Sequence, residues 1–229
     1  MAMAIDTVFL DAGGVLVFPN WERVASALAV YGIRTTAAAL AAVEWRAKHE
    51  VDTRARGEGD VIRGWLVFER VFALAGITGP ATIAATLGDL QSYHAEFNLW
   101  EHVPPDVVPA LQRLRASGRK LVVVSNANGR IRAALERVGL AVHVDLVVDS
   151  QEEGVEKPDP RIFQRALERA GARPESTLHV GDLFHTDVVG ARGAGLRAVL
   201  LDLGGLYHDH DCERVASLAE LADVIESER

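Results

Sequence analysis

Thr7-Val8-Phe9-Leu10-Asp11-Ala12-Gly13-Gly14 is a run of four β-branched and apolar residues that stops at a carboxylate and two glycines. Such a run reads as a buried strand whose carboxyl end opens into a tight loop. The pattern recurs: residues 121–124 stop at Ser125-Asn126, 144–148 at Asp149-Ser150, 177–180 at Gly181-Asp182, and 198–201 at Asp202. Between these later runs, apolar residues recur with a spacing near 3.6. Val107, Leu111 and Leu114 mark a helix closing at Gly118, Ile131, Leu135 and Val138 one closing at Gly139, and Ile162, Phe163, Ala166 and Leu167 one closing at Gly171. Strand and helix alternate, so the expected fold class is α/β, a parallel sheet with helices on both faces. Ligands of such sheets gather at the carboxyl ends of the strands, where the five polar stops fall.

The stretch from 18 to 100 does not follow this pattern. It is rich in Ala, Leu, Glu and Arg, and is punctuated at Gly32, at 57–59 and at 76–80. It reads as a helical cap domain of residues 18–100 inserted after the first strand, leaving 1–17 and 101–229 as the α/β core domain. Residues 71–88 form the longest charge-free run, but Gly76-Ile77-Thr78-Gly79-Pro80 divides it into helix, turn and helix rather than a membrane span.

The 229 residues carry a formal net charge of -8 and no basic run, so nucleic acid is an unexpected partner. A small anion remains compatible with that charge, because local dipoles and single cations can hold it. One cysteine, Cys212, excludes an internal disulfide framework and fits a reducing compartment. No basic residue precedes Arg23, and Asp6 and Asp11 interrupt the apolar stretch, so a cytoplasmic location without membrane attachment is expected.

Four groups of residues suit phosphoryl chemistry. Asp11, at a strand end beside glycine amides, is placed as a nucleophile toward phosphorus, although an aspartate also simply starts turns. Ser125-Asn126, before a helix expected to begin near Gly129, reads equally as an anion site or an N-cap. Lys157 before Pro158-Asp159-Pro160 is a point charge suited to a phosphoryl oxygen or crowded carboxylates. The alternative is solvated surface, but only three of the 24 basic residues are lysine. Asp182 and Asp187 would supply, with Asp11, hard oxygen ligands for Mg2+, although carboxylates in a loop also simply face solvent.

In order and spacing these elements resemble the four motifs of the haloacid dehalogenase superfamily. Ser125-Asn126-Ala127-Asn128, residues 153–163 and residues 180–187 look especially like its subfamily with a helical cap inserted after the first motif. The resemblance spans residues 5–202 and implies a Rossmann-like core and a hydrolase acting on a small phosphorylated metabolite. It further implies that Asp11 forms an aspartyl-phosphate, that Ser125 with Lys157, Asn126 and Gly14 binds the phosphoryl group, and that Asp11, the Gly13 carbonyl, Asp182 and Asp187 hold Mg2+. A monomer or homodimer is expected.

One position departs from the family. Its phosphatases carry a second aspartate two residues after the nucleophile, and here that position is Gly13. Positioned acid-base catalysis is worth ~10² to 10⁴ in rate, about 3 to 5.5 kcal/mol. A good leaving group, a bound water, His185 or His49 would have to compensate. Three alternatives stand beside the phosphatase: a phosphonoacetaldehyde hydrolase-like enzyme using Lys48, for which an ordinary solvated helix position is the expectation; a 2-haloacid dehalogenase, disfavoured by the Asp182/Asp187 pair; and a non-catalytic protein binding a phosphorylated ligand or a partner. Trp45, His49, Arg54, Arg56, Arg63 and Trp65 are the cap residues suited to substrate selection, the tryptophans being more often core.

Overall fold

The structure, a computed structural model, describes residues 4–54 and 60–227, with side chains from residue 64 onward in the second segment. The chain divides into two compact units, Met1–Phe18 with Val103–Arg229, and Pro19–His102.

In the first unit, β1 (Thr7–Leu10), β4 (Lys120–Ser125), β5 (Leu146–Asp149), β6 (Thr177–Gly181), β7 (Arg197–Leu201) and β8 (Glu213–Val215) form one sheet in the order β5-β4-β1-β6-β7-β8. All five pairings are parallel. The register sets Leu10 opposite both Val123 and Val180. The loops after β1, β4 and β6 therefore open at one end of the sheet, with β1 in the middle. The five expected strands all form; the sixth, β8, lies at the edge with two exposed charged residues, Glu213 and Arg214, where no apolar run could announce it.

Helices α5 (Val107–Ala116), α6 (Ile131–Arg137), α7 (Ser150–Glu153), α8 (Pro160–Ala170), α9 (Val189–Gly193) and α10 (Leu218–Ser227) surround the sheet. On one face Phe9, Val122, Val124, Val148, Ala198 and Leu200 pack with Ile162, Phe163, Ala166 and Leu167 of α8 and Ala191 of α9. Alternation sends Val8, Leu10, Leu121 and Val123 to the other face, where α5 packs on β4 and α10 on α5. Both faces are covered, so the strands are apolar throughout. Helix α6 begins at Ile131 rather than near Gly129, because Gly129 takes φ 82°, outside the helical region. At the amino end of β4, the buried Arg119 donates to the carbonyls of Ile5, Ser117 and Ile225.

The second unit consists of α1 (Trp21–Val30), α2 (Ala37–Arg54), α3 (Asp60–Leu74) and α4 (Pro80–Phe97). The short strands β2 (Phe18–Pro19) and β3 (Trp100–His102) pair where the chain enters and leaves it, although no strand was expected there. Breaks fall at Gly32, φ 79°, and between Ala75 and Gly79, as the turn residues predict; the expected break at 57–59 lies outside the described residues. Its core joins Leu28, Leu40, Phe68, Phe72, Leu90 and Leu99. Among the described residues no helix is long and apolar enough to cross a membrane.

Candidate active site

Two strand ends deliver the aspartates. Asp11 follows β1, its amide bonded to the Val180 carbonyl at 2.9 Å, and its Oδ1 accepts the Ala12 N–H at 2.7 Å. Asp182 follows β6, and Asp187 lies at the base of a wide helical turn over Phe184–Val188. Each of the three aspartates has an oxygen within 4.8 Å of the others'. Gly181 makes this possible: a Cβ there would lie 2.0 Å from Asp187 Cγ, so only glycine admits the carboxylate at that place.

Lys157 ties the cluster together. Its Nζ lies 3.0 Å from Asp11 Oδ1 and 2.7 Å from Asp187 Oδ1, and the residue is 1% exposed. Burial alone would lower the pKa of this amine, but the carboxylates of Asp11 and Asp187 outweigh it and keep the ammonium charged. Burial likewise opposes ionisation of Asp187, yet Lys157 and His179 hold its carboxyl well below the usual range. Asp11 moves the other way, pushed up by burial against the pull of Lys157. His179 Nε2 lies 3.0 Å from Asp187 Oδ1, and burial keeps its ring neutral.

Three carboxylates against one ammonium leave two negative charges in excess, which a divalent cation neutralises. The donor set is all hard oxygen, and Mg2+ takes one or two carboxylates together with water and substrate phosphate. The site therefore fits such an ion.

The loop after β4, which read equally as an anion site or an N-cap, has several of its amides bonded to side chains of this chain. The Asp149 carboxylate accepts the amides of Gly129, Ile131 and Gln151 at 3.1, 3.3 and 2.9 Å, and Ser150 Oγ accepts that of Ala127 at 3.0 Å. The protein's own anion thus occupies the start of α6. The Asn126 side chain is also committed: its Nδ2 donates to the Lys157 carbonyl at 2.9 Å and its Oδ1 accepts the Lys157 amide at 2.7 Å. It clamps the lysine's backbone rather than offering an amide to an anion. The Gly14 amide, expected to face substrate, donates to Val17 at 2.9 Å inside its own turn. Ser125, at the last position of β4 and 4% exposed, sits opposite Asp149. Gly13 forms a bridge with Val17 and is half-buried.

Asp202 also ends a strand and, like Asp11, stands two residues before a pair of glycines, yet its two oxygens accept the amides of Leu206 and Tyr207 and build a loop. His185 packs its ring edge-on to Phe184 at 5.3 Å and stands 6.4 Å from His210.

In the second unit, Lys48 corrects the expectation of a solvated position. It is buried, 3.3 Å from Glu44 Oε1 and 4.7 Å from the Trp45 ring centre. Trp21 donates to Glu44 at 2.7 Å, and Trp65 and Trp100 pack with Phe68 and His94, so these rings are core. His49 is half-buried, and Arg54 is exposed and pairs with Glu50 at 3.6 Å. Arg56 lies outside the described residues, as does the side chain of Arg63.

The sequence model of the haloacid dehalogenase-like hydrolases matches residues 5–195. The chain belongs to that family. It is 36% identical over 138 residues, 60% of this chain and 55% of the other, to the Bos taurus haloacid dehalogenase-like hydrolase domain-containing protein 3. It is 37% identical over 117 residues, 51% of each chain, to a glyceraldehyde 3-phosphate phosphatase of Methanothermobacter thermautotrophicus. A phosphoserine phosphatase of Thermus thermophilus is 38% identical over 125 residues, 54% of this chain and 50% of the other. The chain thus spans about half the length of the curated relatives it matches. Among solved structures, the putative HAD-hydrolase YfnB from Bacillus subtilis, bound to magnesium, superposes with a TM-score of 0.69 at 20% identity, covering 98% of this chain and 100% of that one. This likeness concerns the fold: the parallel sheet and the helices around it are those of the haloacid dehalogenase-like hydrolases.

Proposed function

We propose that this haloacid dehalogenase-like hydrolase is a Mg2+-dependent phosphatase of a small phosphorylated metabolite, working through a phosphoryl intermediate on Asp11. The observation that carries the reading is the Lys157 ammonium held between Asp11 and Asp187 inside a cluster of three carboxylates. Relatives named as phosphatases of glyceraldehyde 3-phosphate and phosphoserine support the substrate class.

An Asp11 oxygen attacks phosphorus; the new O–P bond forms as the ester O–P bond breaks, and the leaving alkoxide takes a proton from water. Water then attacks the same phosphorus, loses a proton, and releases inorganic phosphate with Asp11 restored. Lys157 favours the ionised form of Asp11 against the effect of burial and neutralises charge on the phosphoryl oxygens. The Ser125 hydroxyl donates to one of those oxygens, and Asn126 acts through the backbone of Lys157. Asp11, Asp182 and Asp187 would hold Mg2+, with the Gly13 carbonyl as a further ligand, and the ion supplies the remaining charge neutralisation. Gly13 carries no proton, so activated phosphates are the favoured substrates.

Incubating the purified protein with Mg2+ and a panel of phosphorylated metabolites, with acetyl phosphate and an aryl phosphate included, tests the reading. Phosphate release that disappears in Asp11→Asn and on chelation of the metal is expected. No release from any of them, or full activity in Asp11→Asn, overturns it.

A further inference from the structure

We infer that His179 is a positioning residue of the catalytic cluster, whose Nε2–H fixes the Asp187 carboxylate so that one ammonium serves two aspartates and one carboxylate oxygen stays open for the metal. The inference rests on the phosphatase reading of the cluster and adds to it a residue that acts through Asp187.

His179 occupies the middle of β6, between Leu178 and Val180, and pairs in register with Phe9 and Ala198. Every neighbour in that arrangement is apolar, and its ring stands edge-on to Phe163 at 4.8 Å. A central parallel strand ordinarily carries Val, Ile or Leu at such a place. The residue is fully buried, and among the described residues its Nδ1 finds no hydrogen-bond partner. An orphaned buried nitrogen is a cost that an aliphatic side chain would not incur. Packing thus gives no reason for a histidine here, and the reason lies at its other nitrogen.

That nitrogen meets Asp187 Oδ1 at 3.0 Å, and facing a carboxylate it carries the hydrogen. The same oxygen accepts from Lys157 Nζ at 2.7 Å, while Oδ2 accepts the Leu183 amide at 3.1 Å. Two donors saturate Oδ1, and a single amide leaves Oδ2 able to accept again. With the His179 hydrogen removed, Oδ1 would draw on Lys157 alone, and the ammonium would shift from Asp11 toward Asp187. Groups that orient a metal-binding carboxylate in this way typically govern metal affinity by ~10- to 100-fold.

The test compares His179→Leu and His179→Gln with the wild type, using calorimetric titration of Mg2+ into the protein, the thermal midpoint without metal, and phosphate release. Leucine removes both nitrogens at similar volume, and glutamine carries an amide N–H that reaches the place of Nε2. The expected result is a tenfold or greater loss of Mg2+ affinity in His179→Leu, a metal-free midpoint equal to or above that of the wild type, and recovery to within about threefold in His179→Gln. Should His179→Leu not fold, His179→Asn, whose amide is too short to reach Asp187, takes its place. Unchanged Mg2+ affinity and unchanged kcat in a folded variant lacking the donor overturn the inference while leaving the phosphatase reading intact. So does a loss that follows the thermal midpoint in leucine and glutamine variants alike. Absence of Mg2+ binding by the wild type overturns both.

Discussion

Gly13 is the residue on which the chemistry turns. Its neighbour Gly14 adopts φ 81°, whereas Gly13 lies outside the left-handed region, so a side chain there meets no backbone strain. Gly13→Asp should therefore fold and should raise turnover of unactivated alkyl phosphates by about 10- to 100-fold relative to the wild type, with little gain on acetyl phosphate. Steady-state phosphate release on both substrates checks this, and equal gains on the two would point to a general rather than a protonic effect. Residue type singled out Asp11, Lys157, Asp182 and Asp187, and the structure brings the four together, because few positions tolerate charge beside buried strands. It did not announce what the Asn126 side chain does, since polarity alone suggested an anion whereas its amide holds the Lys157 backbone. It missed His179 because a single polar residue in a short apolar run does not break the strand signal.

Among the elements, α4 carries a titration that bears on the stability of the helical unit. His94, in its last turn, accepts the Leu99 amide on Nδ1 at 3.2 Å and lies edge-on to Trp65 and Trp100. Burial holds its pKa below 6.5, so the folded ring stays neutral where the unfolded one takes up a proton. The unfolded state then binds more protons, and stability should fall as pH drops from about 6.5 toward the folded value. Thermal midpoints at pH 7.5 and 5.5 should differ more in the wild type than in His94→Gln, in which that titration is absent. The short elements were the ones hidden in the sequence. β2, β3 and β8 span two or three residues each, too few for a period of two to register, and pairing partners rather than propensity define them. The long helices and the five core strands were legible because burial on both faces or on one stripe leaves its period in the residues.

At the scale of the whole molecule, the two ends of the sheet divide the labour. Loops at the carboxyl ends hold the charged cluster, while at the amino end of β4 Arg119 joins the carbonyls of Ile5 and Ile225, near the two ends of the described chain. Arg119→Met leaves those buried carbonyls without this donor and should cost about 2 to 4 kcal/mol of global stability in denaturant unfolding, with Mg2+ affinity unchanged. A parallel loss of metal binding would show that the two ends are coupled. The order of the motifs along the chain made the family recognisable, whereas the identity of the anion at the start of α6 was not. An aspartate on one strand filling a helix start after another is a tertiary fact, and Asp149 read only as one more polar residue at a strand end.

The near-complete seclusion of Lys157 has a consequence for reagents as well as for substrates. Of the three lysines, Lys120 is exposed, whereas Lys48 and Lys157 are buried. An amine-acylating reagent at low dose should mark Lys120 within minutes and leave Lys157 unmarked until the sheet itself opens, so its labelling rate clocks that opening. Peptide mass spectrometry over a time course would read this clock. Mg2+ with a phosphate mimic should slow it further, which would turn the least reactive amine of the chain into a reporter of what the site has bound.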